Sequence, residues 1–405
     1  MPPIQFAPSA EGAMFGSFPL VLVNNRHELE NVADKLSKCK AIGVDTESDS
    51  FYHYQEKVCL LQLSDAEADY VIDPLALDQD LSALSPILAD PSITKIFHGA
   101  DYDVVCLKRD FGVEIHGIFD TLVATQLLGR TRFGLADLIE RYFGHEVDKS
   151  LQRHNWAQRP LEDEHLYYAR GDTHFLRALR EILLRDLNKA NRLRRFEEEC
   201  RLLERRQWQG RGFDPDGWLK AKGTLNLDDA GKRVLRRAWA YRDEQAREMD
   251  RPQFKVMPDD VLVALAEIRP TSEAALDRVI SPRSGLRRRH GKRLLRVVEE
   301  GLEDKSPLAT GTKDRTAPRG PKPRLTGRAA EKVMADLRIW RNRTGKDVAT
   351  AAFTIASNGT LKAIAAHRPM TLEELAAVPE VRAWQVEEFG NEILEALQKS
   401  DPRSR

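Results

Sequence analysis

At 405 residues the chain is long enough for two or three domains. Charged residues make up 31%, and a formal net charge of zero hides an uneven split: residues 1–200 hold 33 acids and 22 bases, residues 201–405 the remaining 30 and 41. No run of about 18 apolar residues could span a bilayer, no basic residue precedes the apolar stretch Phe18–Val23 as a secretory leader requires, and Cys39, Cys59, Cys106 and Cys200 lack metal-type spacing. These features predict a cytoplasmic protein in a reducing compartment. An acidic half joined to a basic half suits cation binding in one and a polyanion on the other, with two unevenly charged ordinary domains as the alternative.

In chain order, Ala41–Val44, Val58–Leu63, Tyr70–Ile72 and Ile93–Phe97 read as strands, rich in β-branched and aromatic residues. Leu81–Ala89, Tyr102–Arg109, Thr121–Leu128 and Leu135–Tyr142 read as helices, followed by a long helical stretch from Leu161 to about Arg195. Strands interleaved with helices predict an α/β domain of about 200 residues. From Gly210 onward strand signals fade. Residues 306–328 are rich in Pro, Gly and basic residues with almost no bulky apolar side chain, the composition of a flexible linker. A helical unit flanks this linker on each side. Trp239, Pro270 in IRPTSEAAL and Gly291 in GKRLL recur as Trp340, Pro369 in HRPMTLEEL and Gly390 in GNEIL, so a module of period near 100 is duplicated.

Three acidic segments carry the chemistry. Asp45 and Glu47 end the strand AIGVDTE, where residues i and i+2 share a face. FHGADYD runs from a strand into a helix, with Asp101 as a candidate cap and Asp103 in the first turn. In YARGD, Tyr168 and Asp172 lie four apart on one helical face. Taken singly, each has a plain structural explanation. Together, four clustered carboxylates demand protons or cations, and an all-oxygen ligand set favours Mg²⁺ or Mn²⁺ over zinc.

The ordered set DTE, FHGADYD and YARGD resembles the three motifs of the DEDDy 3′→5′ exonucleases, in the manner of ribonuclease D and the 3′-exonuclease subunit of the nuclear exosome. VCLLQLS, YVIDPL, FDTLVATQLLG, LADLIERYFG and DKSLQRHNWAQRPL extend the likeness over about residues 20–205, and the duplicated units are similar to HRDC modules. The resemblance implies an α/β ribonuclease H-like exonuclease domain, a mixed sheet flanked by helices, followed by two small all-α HRDC-like domains. It divides the chain into an exonuclease domain (1–205), a connector (206–228), a first HRDC-like domain (229–303), a linker (304–326) and a second HRDC-like domain (327–400).

It further implies that Asp45, Glu47, Asp103 and Asp172 hold two divalent metal ions, Mg or Mn, and that Tyr168 orients the attacking water. The reaction would release nucleoside 5′-monophosphates from an RNA 3′ end, as in trimming of tRNA or other structured precursors. Gly171 departs from relatives that often carry another acid there, without touching the ligand Asp172. His98, Gln62, Lys149, Trp156 and Arg159 are candidates for the nucleotide; a structural histidine, a sheet-edge glutamine and a loop anchor are the alternatives for His98, Gln62 and Trp156. Residues 281–330, with 14 bases and 5 acids, are the candidate RNA-facing segment, led by Arg287, Arg288 and Arg289. The end of the second module is acidic (Glu387, Glu388, Glu392, Glu395) and is expected to contribute less to RNA binding. RNA is the expected partner and a monomer the simpler assembly. A 3′→5′ DNA exonuclease in repair and a catalytically silent RNA-binding scaffold remain the alternatives; the absence of a GxxxxGK[ST] motif argues against a fused helicase.

Overall fold

The computed structural model describes residues 15–16, 18–208, 213–308, 323–348 and 352–400. Six strands, β1 (Leu20–Val23), β2 (Ala41–Ser48), β3 (Val58–Ser64), β4 (Asp69–Ile72), β5 (Thr94–Phe97) and β6 (Ile118–Asp120), form one mixed sheet of order β1-β4-β3-β2-β5-β6. Its pairing is parallel at β1–β4, β2–β5 and β5–β6 and antiparallel at β4–β3 and β3–β2. Helices α1 (Arg26–Leu36), α2 (Ser85–Ala89), α3 (Asp101–Phe111), α4 (Thr121–Leu127), α5 (Leu135–Phe143), α6 (Asp163–His174), α7 (Leu176–Lys189) and α8 (Leu193–Glu204) surround it. Two strands escape the sequence reading, β1 with four residues and β6 with three. The helical stretch from Leu161 to about Arg195 comprises two helices and the start of a third, interrupted at Phe175 and again at Ala190 and Asn191, where Asn191 takes a left-handed conformation (φ 54°).

Alternation along the strands sets the two faces of the sheet. Ile42 and Val44 of β2, with Leu61 and Leu63 of β3, enter the main core. Leu60 of β3 and Val71 of β4 face the other way, into a smaller cluster with Leu166 and Ala169 of α6 and with Trp156. Gly43, Asp45 and Glu47, like Gln62 and Ser64, share that second face by their spacing. Helix α6 presses directly onto it: a Cβ on Gly43 would sit 2.8 Å from the Thr173 carbonyl oxygen. The helix is pinned by polar contacts as well. Buried Asp69 of β4 accepts from Arg170 Nε (2.9 Å) and Nη2 (2.5 Å) and from Ser64 Oγ (2.7 Å), with His174 Nδ1 at 2.9 Å. Thr173 Oγ1 lies 2.6 Å from Ser64 Oγ.

Two helical modules follow. The first comprises α9 (Asp229–Glu248), α10 (Gln253–Val256), α11 (Asp259–Ile268), α12 (Glu273–Leu276) and α13 (Gly285–Glu303); the second comprises α14 (Gly327–Asp347), α15 (Asn358–His367), α16 (Leu372–Ala376) and α17 (Ala383–Lys399). The duplication is visible in detail. Helices α11 and α15 both end on an arginine in the left-handed region, Arg269 (φ 50°) and Arg368 (φ 45°), immediately before Pro270 and Pro369. Ser272 and Thr371 then cap the next helices, each accepting a backbone N–H three residues on. Residues 309–322, the centre of the expected linker, lie outside the described residues.

Candidate active site

The first two acids hang from the end of β2, which runs one residue past AIGVDTE to Ser48 and carries Asp45 and Glu47 on a strand paired with β3. Asp172 descends from α6, brought close by the clearance at Gly43. One carboxylate oxygen from each of Asp45, Glu47 and Asp172 lies within 4.8 Å of the others. Asp103, in the first turn of α3, is held at this group by Thr46, whose Oγ1 donates to Asp103 Oδ1 at 2.5 Å. None of the four carboxylates makes an ion pair with a described Lys, Arg or His.

That lack of compensation sets the electrostatics. Burial, reinforced by Asp103, Asp172 and Glu47, holds the Asp45 carboxyl well above the ordinary aspartate range. Burial and the charges of Asp172 and Asp103 do the same to Glu47. Asp172 is pushed up to about 7 by burial and Asp103, and Asp103 to about 6 by burial, against the lowering effect of the Thr46 hydrogen bond. Burial also raises the Tyr168 phenol, with Asp172, Glu47 and Asp45 adding to the shift, so Tyr168 is a neutral hydrogen-bond donor and acceptor at pH 7. An oxygen-only cluster of this charge fits hard divalent cations and offers nothing to a softer metal.

The loop into α3 is set by a residue with no separate role in the motifs. Asp120, buried at the end of β6, accepts from Gly99 N (3.1 Å) and Ala100 N (2.7 Å) ahead of α3, and from Leu122 N (2.8 Å) and Val123 N (3.1 Å) in α4. It thereby joins two helix N-termini. Asp101, the expected cap of α3, instead pairs with Arg206 at 2.6 Å, and Ala100 occupies the N-cap position. Asp120 is readable from FDT preceding an apolar helix, since Asp is a strong N-cap residue; its second set of partners is not.

The remaining candidates separate by burial. His98 is half-buried, its Nδ1 2.9 Å from Thr121 Oγ1, and burial lowers its pKa to about 4, leaving a neutral ring. Thr121 donates its own proton to the Phe97 carbonyl (2.9 Å), so His98 Nδ1 carries the hydrogen and Nε2 is left as an acceptor. Lys149 is exposed. Trp156 is only 1% exposed and packs against Tyr168 with ring centroids 5.7 Å apart; it supports the tyrosine and presents no face to a base. Arg159 is committed to Asp73 (2.7 and 2.6 Å) and to the Trp156 and Cys59 carbonyls, so it braces the loop rather than meeting phosphate. Gln62 sits opposite Asp45 in the interior of the sheet, fully buried, and therefore does not line an open cleft. Arg287 pairs with Asp277 (2.8 Å) and Glu273 (3.5 Å), whereas Arg288 and Arg289 are exposed and form no ion pair among the described residues. The acidic end of the second module is likewise engaged: Glu387 and Glu388 pair with Arg194 and Arg195 of α8, and Arg382 with Glu199.

Known proteins share this domain order and fold. A 3′-5′ exonuclease family model matches residues 20–188, and an HRDC domain model matches 231–298 and 330–397. Ribonuclease D of Desulfotalea psychrophila is 32% identical over 288 residues, covering 70% of this chain and 76% of that protein. The exosome complex exonuclease RRP6 of Saccharomyces cerevisiae is 31% identical over 301 residues, 70% of this chain; the chain spans 41% of its length, and 33% of the mouse exosome complex component 10. The crystal structure of Escherichia coli RNase D superimposes with a TM-score of 0.67 at 26% identity, covering 93% of this chain and 98% of that one. With an exonuclease domain followed by two HRDC domains, the chain belongs to the ribonuclease D family of 3′→5′ exonucleases.

Proposed function

We propose that the protein is a metal-dependent 3′→5′ exoribonuclease that hydrolyses the terminal phosphodiester of RNA and releases nucleoside 5′-monophosphates. The observation that carries this reading is the convergence of Asp45, Glu47 and Asp172 within 4.8 Å, with Asp103 tethered beside them and no described cation to balance them. Asp45, Glu47, Asp103 and Asp172 would hold two divalent ions. When bound, such ions neutralise the phosphate, acidify water and stabilise the leaving 3′-oxygen. Tyr168, braced by Trp156, would fix the orientation of the attacking water through its hydroxyl; its raised pKa makes it a positioning group, not a base. His98 Nε2 would accept a hydrogen bond from a hydroxyl of the terminal ribose. Arg288 and Arg289 of α13 would meet the body of the RNA, in keeping with trimming of structured precursors such as tRNA.

The test is product analysis on a 5′-labelled single-stranded RNA and the matching DNA. A ladder shortening one nucleotide at a time, with monophosphates released and RNA cut faster than DNA, is the expected result. A ladder unaffected by blocking the 3′-OH would mean internal cutting and remove the assignment.

A further inference from the structure

The loop that follows Glu47 carries an aromatic and basic surface that the active site does not use. Phe51 is 40% and Phe254 of α10 is 50% exposed, and their rings meet edge to face at 6.0 Å across the boundary between the exonuclease domain and the first HRDC domain. They border a cavity of about 600 Å³ whose walls include Tyr54 and Trp239. Arg153 lies over the Phe51 ring at 5.8 Å, and Lys255 over the Tyr52 ring at 4.1 Å. Tyr52 in turn donates from its hydroxyl to the Arg153 carbonyl at 2.8 Å, joining the two loops.

We infer that this surface binds the single-stranded RNA leading into the active site, with bases stacking on Phe51 and Phe254 and phosphates meeting Arg153 and Lys255. The inference rests on the exoribonuclease reading above. Position supports it from two directions. Phe51 follows Glu47 by four residues, a span of at most about 14 Å. Arg153 precedes by three residues Trp156, which packs on Tyr168.

Charge supports it as well. Asp243 is held by Tyr54 Oη (2.8 Å) and Gln253 Nε2 (2.5 Å), Asp250 by His53 (2.7 Å), Asp259 by Arg242 and Asp214 by Lys220. Arg153 and Lys255, by contrast, make no ion pair among the described residues. Aromatic faces interleaved with unpaired cations are what sequence-tolerant single-strand binding uses.

The test compares a 12-nucleotide RNA with a dinucleotide, which offers the surface far less to stack. Phe51→Ala and Phe254→Ala should lower the ratio of kcat/KM for the 12-mer to that for the dinucleotide by about 5- to 150-fold, the range that base–aromatic stacking commands. Phe51→Trp should restore the ratio. Arg153→Gln with Lys255→Gln should flatten the salt dependence of KM for the 12-mer. An unchanged ratio in both alanine variants overturns the inference. So does an equal drop in the ratio from Asp250→Asn, which loosens the domain boundary without touching either ring. Failure of the wild-type protein to cut either substrate would instead remove the exoribonuclease reading itself.

Discussion

The hydroxyl of Thr46 donates to Oδ1 of Asp103 across 2.5 Å, so the residue between the first two acids also fixes the acid that arrives on a separate helix. Supporting hydrogen bonds of this kind orient ligands, and losing one typically costs 10–100-fold in metal affinity or activity. Thr46→Val keeps the shape and removes the donor. Exonuclease rate should fall about 10–100-fold, and the apparent metal affinity should fall with it, while Thr46→Ser retains most of both. Metal titrations of initial rate check the pair.

The raised carboxyls make metal-free stability depend on pH with a definite sign. Asp172 titrates near 7 when folded against an ordinary value of 3.8, and Asp103 near 6. Between about pH 4 and pH 7 the folded state therefore keeps protons that the unfolded chain has released, and this contribution to stability declines as pH rises through that window. Cations compete with those protons. The increase in Tm on adding Mn²⁺ should be small at pH 5 and large at pH 8, and it should shrink in Asp172→Asn. Thermal melts with and without chelator at both pH values measure it.

Gly43 is where α6 approaches β2: a Cβ there would lie 2.8 Å from the Thr173 carbonyl oxygen. A backbone atom cannot swing aside as a side chain can, so Gly43→Ala must shift the helix that carries Tyr168 and Asp172. A stability loss of about 1–3 kcal/mol is expected, with a loss of activity larger than that unfolding explains at a temperature where the variant is still folded. Denaturant melts paired with initial rates separate the two effects.

The basic face of α13 divides by pairing. Arg287 is occupied by Asp277 and Glu273, whereas Arg288 and Arg289 are exposed and form no ion pair among the described residues. Arg288→Gln with Arg289→Gln should weaken RNA binding and reduce the slope of log K against log salt by about 0.7 for each phosphate no longer neutralised on a single strand. Arg287→Gln should lower stability and leave that slope nearly unchanged. Binding isotherms at three salt concentrations distinguish them. Removing residues 327–405 should weaken binding less than the double substitution, because Glu387 and Glu388 already face Arg194 and Arg195.

What is legible in the sequence and what is hidden follow one physical division. Asp45, Glu47, Asp103, Tyr168 and Asp172 are proposed as one site through the resemblance of DTE, FHGADYD and YARGD to the family's motifs; their spacing by itself places them only on a strand end, in a first helical turn and on one helical face. The duplicated modules are legible through Trp239, Pro270 and Gly291 and their counterparts, where a turn or a close approach restricts the residue. Partners far apart in the chain are not. Arg159 resembles a phosphate ligand in the sequence because nothing nearby announces Asp73, 86 residues earlier. Trp156 reads as either a loop anchor or a base-stacking face, because Leu60 and Val71, which pack in the same cluster, lie on strands far from it in the chain. Gly43, Thr46 and Asp120 read as ordinary strand and cap residues, and only the packing of α6, α3 and α4 gives them their roles.

The central claim is that the four carboxylates form one metal-dependent hydrolytic site. Its most direct measurement is the initial rate of 3′-end shortening of a single-stranded RNA by the wild-type protein with Mg²⁺, by the same protein with chelator, and by folded Asp45→Asn with Mg²⁺. Shortening in the first case alone, with Asp45→Asn slowed beyond the roughly 100-fold expected for a merely supporting residue, is the predicted result. Comparable shortening by Asp45→Asn, or in the presence of chelator, would contradict it.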